Sequence, residues 1–251
     1  MPLPDDPRID PGLLAHREVE RLPPGLFEWR VAEVVQLASS RHSQAVNRPR
    51  AVSRWQDEVI TQEIQSGARV LDLGCGDGQL LDRLQRERQI RGQGVEIDAN
   101  AVLAATRRGV SVFQADLGEG LSRFPDGSYD VVILEETLQT LAKPRLMLGE
   151  MLRVGRQGIV SFPNFAHWRV VVNLVAHGRM PVTERLPYPW YDSDNIHPFT
   201  LQDLLDWVDA SGVRIVSGHS LSEGSVRTLR PEDNLHAEEV LVVVERKEVA
   251  K

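Results

Sequence analysis

The segment that most constrains the fold is RVLDLGCGDGQLLDRL, Arg69 to Leu84. It opens as a short apolar run, breaks at alternate glycines Gly74, Gly76 and Gly78, and resumes with the spacing of an amphipathic helix. A strand that turns into a helix over glycines is the opening unit of an open parallel sheet, whose ligands sit at the carboxyl ends of its strands. Glycine permits the tight turn and lets main-chain N–H groups face a ligand directly. The helix that follows adds its positive N-terminal end. Such a loop suits an anionic or carboxylate-bearing ligand.

The surrounding sequence repeats the alternation. The spacing predicts a helix from Ser53 to about Gln65, a strand over Arg69 to Leu73 and a helix over Gln79 to Arg88. Strand-like runs follow at GQGVEI, VSVFQA, YDVVILE and QGIVSF, with helical spacing near Ala99 to Arg108 and Pro144 to Val154. This order predicts an α/β, Rossmann-like fold: a mostly parallel twisted sheet covered by helices on both faces. After Phe162 comes a long insertion, about 163–199, and then a helix at Leu201 to Ala210. The last strands, VRIVSG and EEVLVVVER, are expected as an antiparallel pair at the sheet edge. Residues 1–50 are broken by prolines, with a short helical pattern only at Leu26 to Ala38. They are expected to form a partly ordered extension ahead of a domain over 51–251.

Composition removes several function classes. A chain of 251 residues with 41% apolar content can bury one large core. Its formal charge of -7 provides no global basic excess for nucleic acid or anionic lipid, so neither is an expected partner. The lone cysteine, Cys75, excludes an internal disulfide framework and a zinc site built on clustered cysteines. MPLPDDPRID lacks the features of a signal peptide, and no run approaches the ~18 apolar residues of a membrane span. A cytoplasmic location is expected.

The loop spacing discriminates among cofactors. GDGQLL has no Gly-Lys-Ser/Thr to meet phosphate and magnesium, which removes a P-loop. Gln79 stands where a dinucleotide fingerprint needs its third glycine, so an oxidoreductase reading fits poorly. The acid-x-Gly-x-Gly-x-Gly pattern of Asp72, Gly74, Gly76 and Gly78 resembles the loop with which class I methyltransferases bind S-adenosylmethionine. Glu96, eighteen residues beyond Gly78 and followed by Ile97, stands at the end of the second strand, where a carboxylate can accept two hydrogen bonds from a ribose diol. Asp98 competes for that role or caps the next helix. In the same resemblance, Asp116 and Leu117 after the third strand correspond to an adenine contact through a side-chain acceptor and a main-chain N–H. Cys75, between two glycines, is either a small packing residue beneath the cofactor or, less in keeping with its surroundings, a nucleophile.

The fourth strand ends in LEETLQTL, which directs Glu135 or Glu136 toward the crevice; Glu135 is grouped with the cofactor residues, and a general base is conceivable there. No particular catalytic residue follows from the sequence. An Asn/Asp-Pro-Pro-aromatic motif is missing, which weakens an amino-methylating reading directed at nucleic acid; SFPNF is not equivalent. SFPNFAHWRV, GRMPVTERLPYPWYDSDNIH and FTLQDL, taken with the glycine loop and VILEETLQTL, resemble the MetW family of methionine-biosynthesis proteins over roughly residues 54–220. The acidic pair Glu135 and Glu136 departs from that family's pattern. The resemblance implies a class I methyltransferase fold that binds S-adenosylmethionine or S-adenosylhomocysteine, with a homoserine O-acyltransferase as partner. Two activities remain open: methyl transfer to an undefined acceptor, or cofactor-dependent support of the acyltransferase. A small-molecule methyltransferase unrelated to methionine synthesis is the alternative. His167, Trp168, Tyr188, Trp190, Tyr191 and His197 in the insertion are candidates to line an acceptor pocket or form a partner face. The two histidines lack the spacing of a metal site, and none is expected.

Overall fold

The alternation of helix and strand is realised in the computed structural model, which describes residues 54–183 and 185–247. The expected extension over 1–50 lies outside the described residues. Helix α1 (Trp55–Glu63) leads into β1 (Arg69–Leu73), α2 (Gln79–Arg88), β2 (Arg91–Glu96), α3 (Ala99–Arg107) and β3 (Ser111–Gln114). Then follow β4 (Tyr129–Glu135), α4 (Pro144–Val154), β5 (Gly155–Pro163), α5 (Trp168–His177) and α6 (Leu201–Ala210). The described chain ends with β6 (Val213–Ser222), β7 (Ser225–Thr228) and β8 (Glu239–Arg246). The predicted bounds of β1, α2, β4, α4 and α6 coincide with those observed.

The strands form one eight-stranded sheet in the order β3-β2-β1-β4-β5-β8-β6-β7. β3 through β5 pair in parallel, and β8, β6 and β7 are joined to them by antiparallel ladders. The chain builds β2 and β3 on one side of β1, then crosses to place β4 on the other. That reversal opens a crevice at the carboxyl ends of β1 and β4.

Period-2 alternation divides the core between the two faces. Val132, Leu134, Val160 and Phe162 point toward α4 and α6, with Met151 and Leu204 among their partners. Val131, Ile133 and Ile159 point the other way, where Ile60, Leu81 and Leu84 cover them. Each fully buried aliphatic side chain contributes roughly 1.5–3 kcal/mol through removal of apolar surface from water. Local chemistry sets the helix starts: Asp98 caps α3 by accepting from the Asn100 N–H, Pro144 opens α4, and Thr200 with Asp203 forms a capping box on α6.

Four features differ from expectation. The C-terminal strand β8 is antiparallel as predicted but lies inside the sheet, between β5 and β6, because its run Val240 to Val244 is buried on both faces. The edge is taken by β7, whose residues are all exposed and which pairs with β6 across a two-residue turn at Glu223 and Gly224. Strand β6 continues past VRIVSG to Ser222. Helix α5 within the insertion was not foreseen, since its Val170–Val172 run of β-branched residues speaks against helix by propensity.

Gly78 and Gly67 share a left-handed backbone, φ +77° and +79°, but only at Gly78 would a Cβ collide, 2.9 Å from the Cβ of Ala105 in α3. Both substitutions to Ala carry the conformational penalty, and Gly78→Ala adds overpacking of about 1–3 kcal/mol. Urea denaturation should show that Gly78→Ala lowers stability by that much more than Gly67→Ala. Equal losses would mean that α2 and α3 do not need the close approach.

Candidate functional site

The loop after β1 is held by the end of β2. The Val95 carbonyl accepts from the N–H groups of Gly74 and Cys75 at 2.8 and 3.1 Å, and the Gly78 N–H closes a turn on the Cys75 carbonyl at 3.0 Å. All three loop glycines have positive φ, +79°, +54° and +77°. Their reasons differ. A Cβ at Gly74 would lie 2.6 Å from Thr137 Oγ1 and one at Gly78 would strike Ala105, whereas at Gly76 it would meet nothing within 4 Å. Gly74 and Gly78 are therefore packing glycines, and Gly76 faces open space at the start of the crevice.

Glu96 closes this loop from the side. One carboxylate oxygen accepts from the Gly76 N–H at 2.9 Å; the other accepts from the N–H groups of Ile97 and Asp98 at 2.7 and 2.9 Å. Asp98 is committed to capping α3 and does not share this position. Ile97, 62% exposed, supplies an apolar surface next to Glu96. One strand further on, β3 pairs with β2, and the Ala115 N–H bonds the Glu96 carbonyl at 3.0 Å. Asp116 then accepts from the Gly118 N–H at 2.7 Å and starts the 3-10 turn Leu117–Glu119, in which Leu117 is buried. Asp72, Gly74, Cys75, Gly76, Gly78, Glu96, Ile97, Asp116 and Leu117 thus lie along the carboxyl ends of three adjacent strands.

Cys75 is a packing residue. It is buried, and any side chain on Gly94 would collide with its sulfur. Burial, reinforced by the nearby Asp72 and Glu96 carboxylates, pushes its thiol up to about 12, so it stays protonated at neutral pH. Asp72 is buried at the end of β1, and burial, with Glu135 next in effect, holds its carboxyl well above the ordinary range.

On the other bank, β4 ends in Glu135, whose side chain is only 9% exposed. Arg54 approaches Glu135 Oε1 at 3.2 Å as an ion pair, but that buried oxygen accepts no aligned hydrogen bond. Burial is the largest influence on Glu135 and pushes it up to about 7; Arg54 opposes the shift, while Asp57 and Glu136 reinforce it. Glu136 has φ +48°, uncommon for a residue with a side chain, and its N–H is held by Ser161. Its carboxylate accepts from Gln56 at 3.0 Å. Gln56 also donates to Glu239 at 3.2 Å, and Trp55 Nε1 makes a short bond to the same carboxylate. Sequence reasoning did not identify Arg54, Gln56, Asp57 or Glu239 as neighbours of the crevice. The only available signal was the polar start of α1, RWQDE, and the acids at the start of β8, AEE, which are distant in sequence.

The insertion residues divide. His167 and Trp168 are buried, at 5% and 7% exposure, whereas Tyr188, Trp190, Tyr191 and His197 are exposed, Trp190 at 76%. Trp190 and Tyr191 meet edge to face with ring centroids 5.6 Å apart. The N–H groups of Ile196 and His197 both bond the Gln139 carbonyl, which ties the end of the insertion to the crevice side of β4. Among the described residues, no helix is long and apolar enough to cross a membrane.

Known proteins are similar to this chain in sequence or in architecture. A bifunctional methionine biosynthesis protein MetXA/MetW from Rhodopirellula baltica is 34% identical over 201 residues, covering 76% of this chain; the chain spans only 32% of that protein's length. Among solved structures, a SAM-dependent methyltransferase from Thermotoga maritima, described as a possible histamine N-methyltransferase, superposes with TM-score 0.57 at 18% identity, covering 76% of this chain and 88% of its own. The cyclase SpnF superposes with TM-score 0.57 at 16% identity, covering 87% and 94%, so this fold alone does not specify methyl transfer. The profile of the family described as methionine biosynthesis protein MetW matches residues 54–244, with the glycine loop, the crevice acids and the insertion all inside the match, and the chain belongs to that family.

Proposed function

We propose that the chain binds S-adenosylmethionine, or its demethylated product S-adenosylhomocysteine, over the glycine loop, and serves methionine biosynthesis beside a homoserine O-acyltransferase. The observation that carries the cofactor reading is the pairing of Gly76 with Glu96: an open glycine, with a carboxylate fixed beside it by three main-chain donors. Glu96 would take the ribose hydroxyls, Ile97 would cover a face of the base, and Asp116 with the Leu117 N–H would recognise its edge. Asp72 and Glu135 would face the charged end of the ligand. When bound, S-adenosylmethionine supplies an activated methyl group, for which positioning can carry much of the chemistry.

The partner reading draws on the MetXA/MetW relative, which joins the two named parts in one chain. It also draws on the exposed apolar side chains Val175, Met180, Val182, Trp190 and Ile196 in and after α5. Methyl transfer is the second reading, favoured by Glu135: a carboxyl pushed up to about 7 can accept a proton from an acceptor near neutral pH.

Glu96→Ala removes charge-assisted bonds worth ~1.5–3 kcal/mol, so calorimetry should show affinity for S-adenosylmethionine reduced at least about tenfold in a folded protein. Unchanged affinity would remove Glu96 from the site. Gly76→Val, which places a β-branched side chain in the open space, should abolish binding; a folded variant that still binds would show the ligand to lie elsewhere. Trp190→Ala should weaken capture of the homoserine O-acyltransferase by ~2 kcal/mol while leaving cofactor affinity unchanged. Undiminished capture, or no capture by the unaltered protein, would defeat the partner-face assignment; a loss of methyl transfer by the isolated protein would place Trp190 in an acceptor pocket.

A further inference from the structure

A second polar cavity lies apart from the glycine loop, where the chain leaves β5. Its walls include Asn164, His167 and Arg169 around the start of α5, Thr183 and Arg185 from the insertion, and Glu238 ahead of β8. His167 stands at the N-cap of α5 but makes no side-chain capping bond. The residue is 5% exposed, its ring lies against Trp168 with centroids 5.7 Å apart, and among the described residues it makes no side-chain hydrogen bond. Burial first, and the positive charge of Arg169 second, bring its pKa down to about 4. The ring is therefore neutral at pH 7 and offers one N–H donor and one acceptor.

Arg185 adds a second unsatisfied donor. Its Nε is buried and makes no hydrogen bond, and the nearest Glu238 oxygen is 3.7 Å away. Its Nη1 lies 3.5 Å from Glu239. Buried N–H groups without acceptors are uncommon and indicate a missing partner. Arg169 is exposed, and its guanidinium stacks over Trp168 at 5.2 Å without an ion pair among the described residues. At the start of the ten-residue α5 the Val170 and Val171 N–H groups bond the His167 carbonyl at 2.9 and 3.2 Å, which leaves those of Trp168 and Arg169 at the positive end of the helix. Two side-chain donors, His167 and Arg185, thus line one space beside the start of α5, with one carboxylate, Glu238, on the wall.

The dimensions narrow the ligand. The enclosed end has room for about two water-sized groups, which admits the oxygens of a carboxylate and leaves the rest of a ligand at the mouth. We propose that this cavity binds the zwitterionic head group of a small free amino acid, its carboxylate meeting Arg185, His167 and the α5 amides, and its ammonium meeting Glu238. Arg169 sits at the mouth and adds attraction for the carboxylate. The proposal does not depend on the cofactor reading, because no residue of the glycine loop lines the cavity.

The test uses the full chain without any nucleoside, monitoring the His167 ring nitrogens by NMR during titration with glycine, acetate or methylammonium at fixed ionic strength. Glycine should shift the His167 signals saturably, acetate should require at least about tenfold higher concentration, and methylammonium should leave them in place. Arg185→Gln should weaken glycine at least tenfold. Arg169→Gln, an exposed change that tests the same attraction without threatening the fold, should weaken it severalfold. Glu238→Gln should weaken glycine but leave acetate unchanged. A lack of saturable shift with glycine would overturn the proposal, as would acetate binding as tightly as glycine or insensitivity of glycine binding to both Arg169→Gln and Glu238→Gln.

Discussion

Val95 gives its carbonyl to two successive N–H groups of the glycine loop, and one residue later the Glu96 carboxylate takes the N–H of Gly76. These bonds tie the turn after β1 to the tip of β2, so the loop cannot open without disturbing the sheet. Three positive-φ glycines make the turn sterically possible. Their spacing also lets α2 settle against α3 through Gly78 and Ala105, while Gly74 accommodates Thr137 from beyond β4. The same short segment therefore sets the packing of one face of the sheet and the floor of the crevice. Position in the strand order does the rest, because β1 has parallel neighbours on both sides and its loop falls where the chain reverses direction.

The crevice is charged in a way that a closed apolar core would not tolerate. Asp72, Glu135 and Glu239 are all raised by burial, and like charges around them reinforce the effect. Arg54 and Arg185 compensate only in part, through contacts of 3.2 and 3.5 Å. A carboxyl whose folded pKa lies above its unfolded value stabilises the fold relative to the unfolded chain at low pH, and that contribution is lost as pH rises through the folded value. For Glu135 and Glu239 the window runs from the ordinary carboxylate range, 4.5, to about 7. At neutral pH these groups sit near the point of ionisation, which is a poor arrangement for stability and a suitable one for meeting a cation.

What could be read from sequence follows the range of the interactions involved. β1, α2, β4, α4 and α6 were legible because each carries its own periodicity and its own punctuation: the glycines, Pro144, or Thr200 with Asp203. Gly76 and Glu96 could each be singled out, one by the glycine spacing and the other by its place at the end of a strand, but the bond between them could not. The separate duties of Asp98 and Glu96 were not legible, because both stand within hydrogen-bonding reach of a strand end, and only the cap on Asn100 distinguishes them. The crevice contacts of Arg54, Gln56 and Glu239 were beyond reach for a different reason. Gln56 and Glu239 are 183 residues apart, and no local pattern announces such a bond. β7 was missed because a strand of four exposed residues has no buried face to impose alternation.

The insertion joins the two halves of the functional argument. At its beginning, Asn164 accepts from the N–H groups of Ala166 and Leu201 and donates to the carbonyls of Asn234 and Ala237, so one buried amide fixes α5, α6 and the approach to β8 together. At its end, Ile196 and His197 hang on the Gln139 carbonyl beside the acids of β4. Between these anchors the chain presents exposed Trp190 and Tyr191 in a proline-stiffened stretch, which lowers the entropy lost on ordering against another surface. A ligand at Glu135 and a protein seated on the aromatic segment would both act on residues linked through Gln139: its side-chain amide bonds the Glu136 carbonyl at 2.8 Å. The anchoring of the insertion thus provides a physical connection between crevice and outer face that would not exist if the aromatics stood on a free loop.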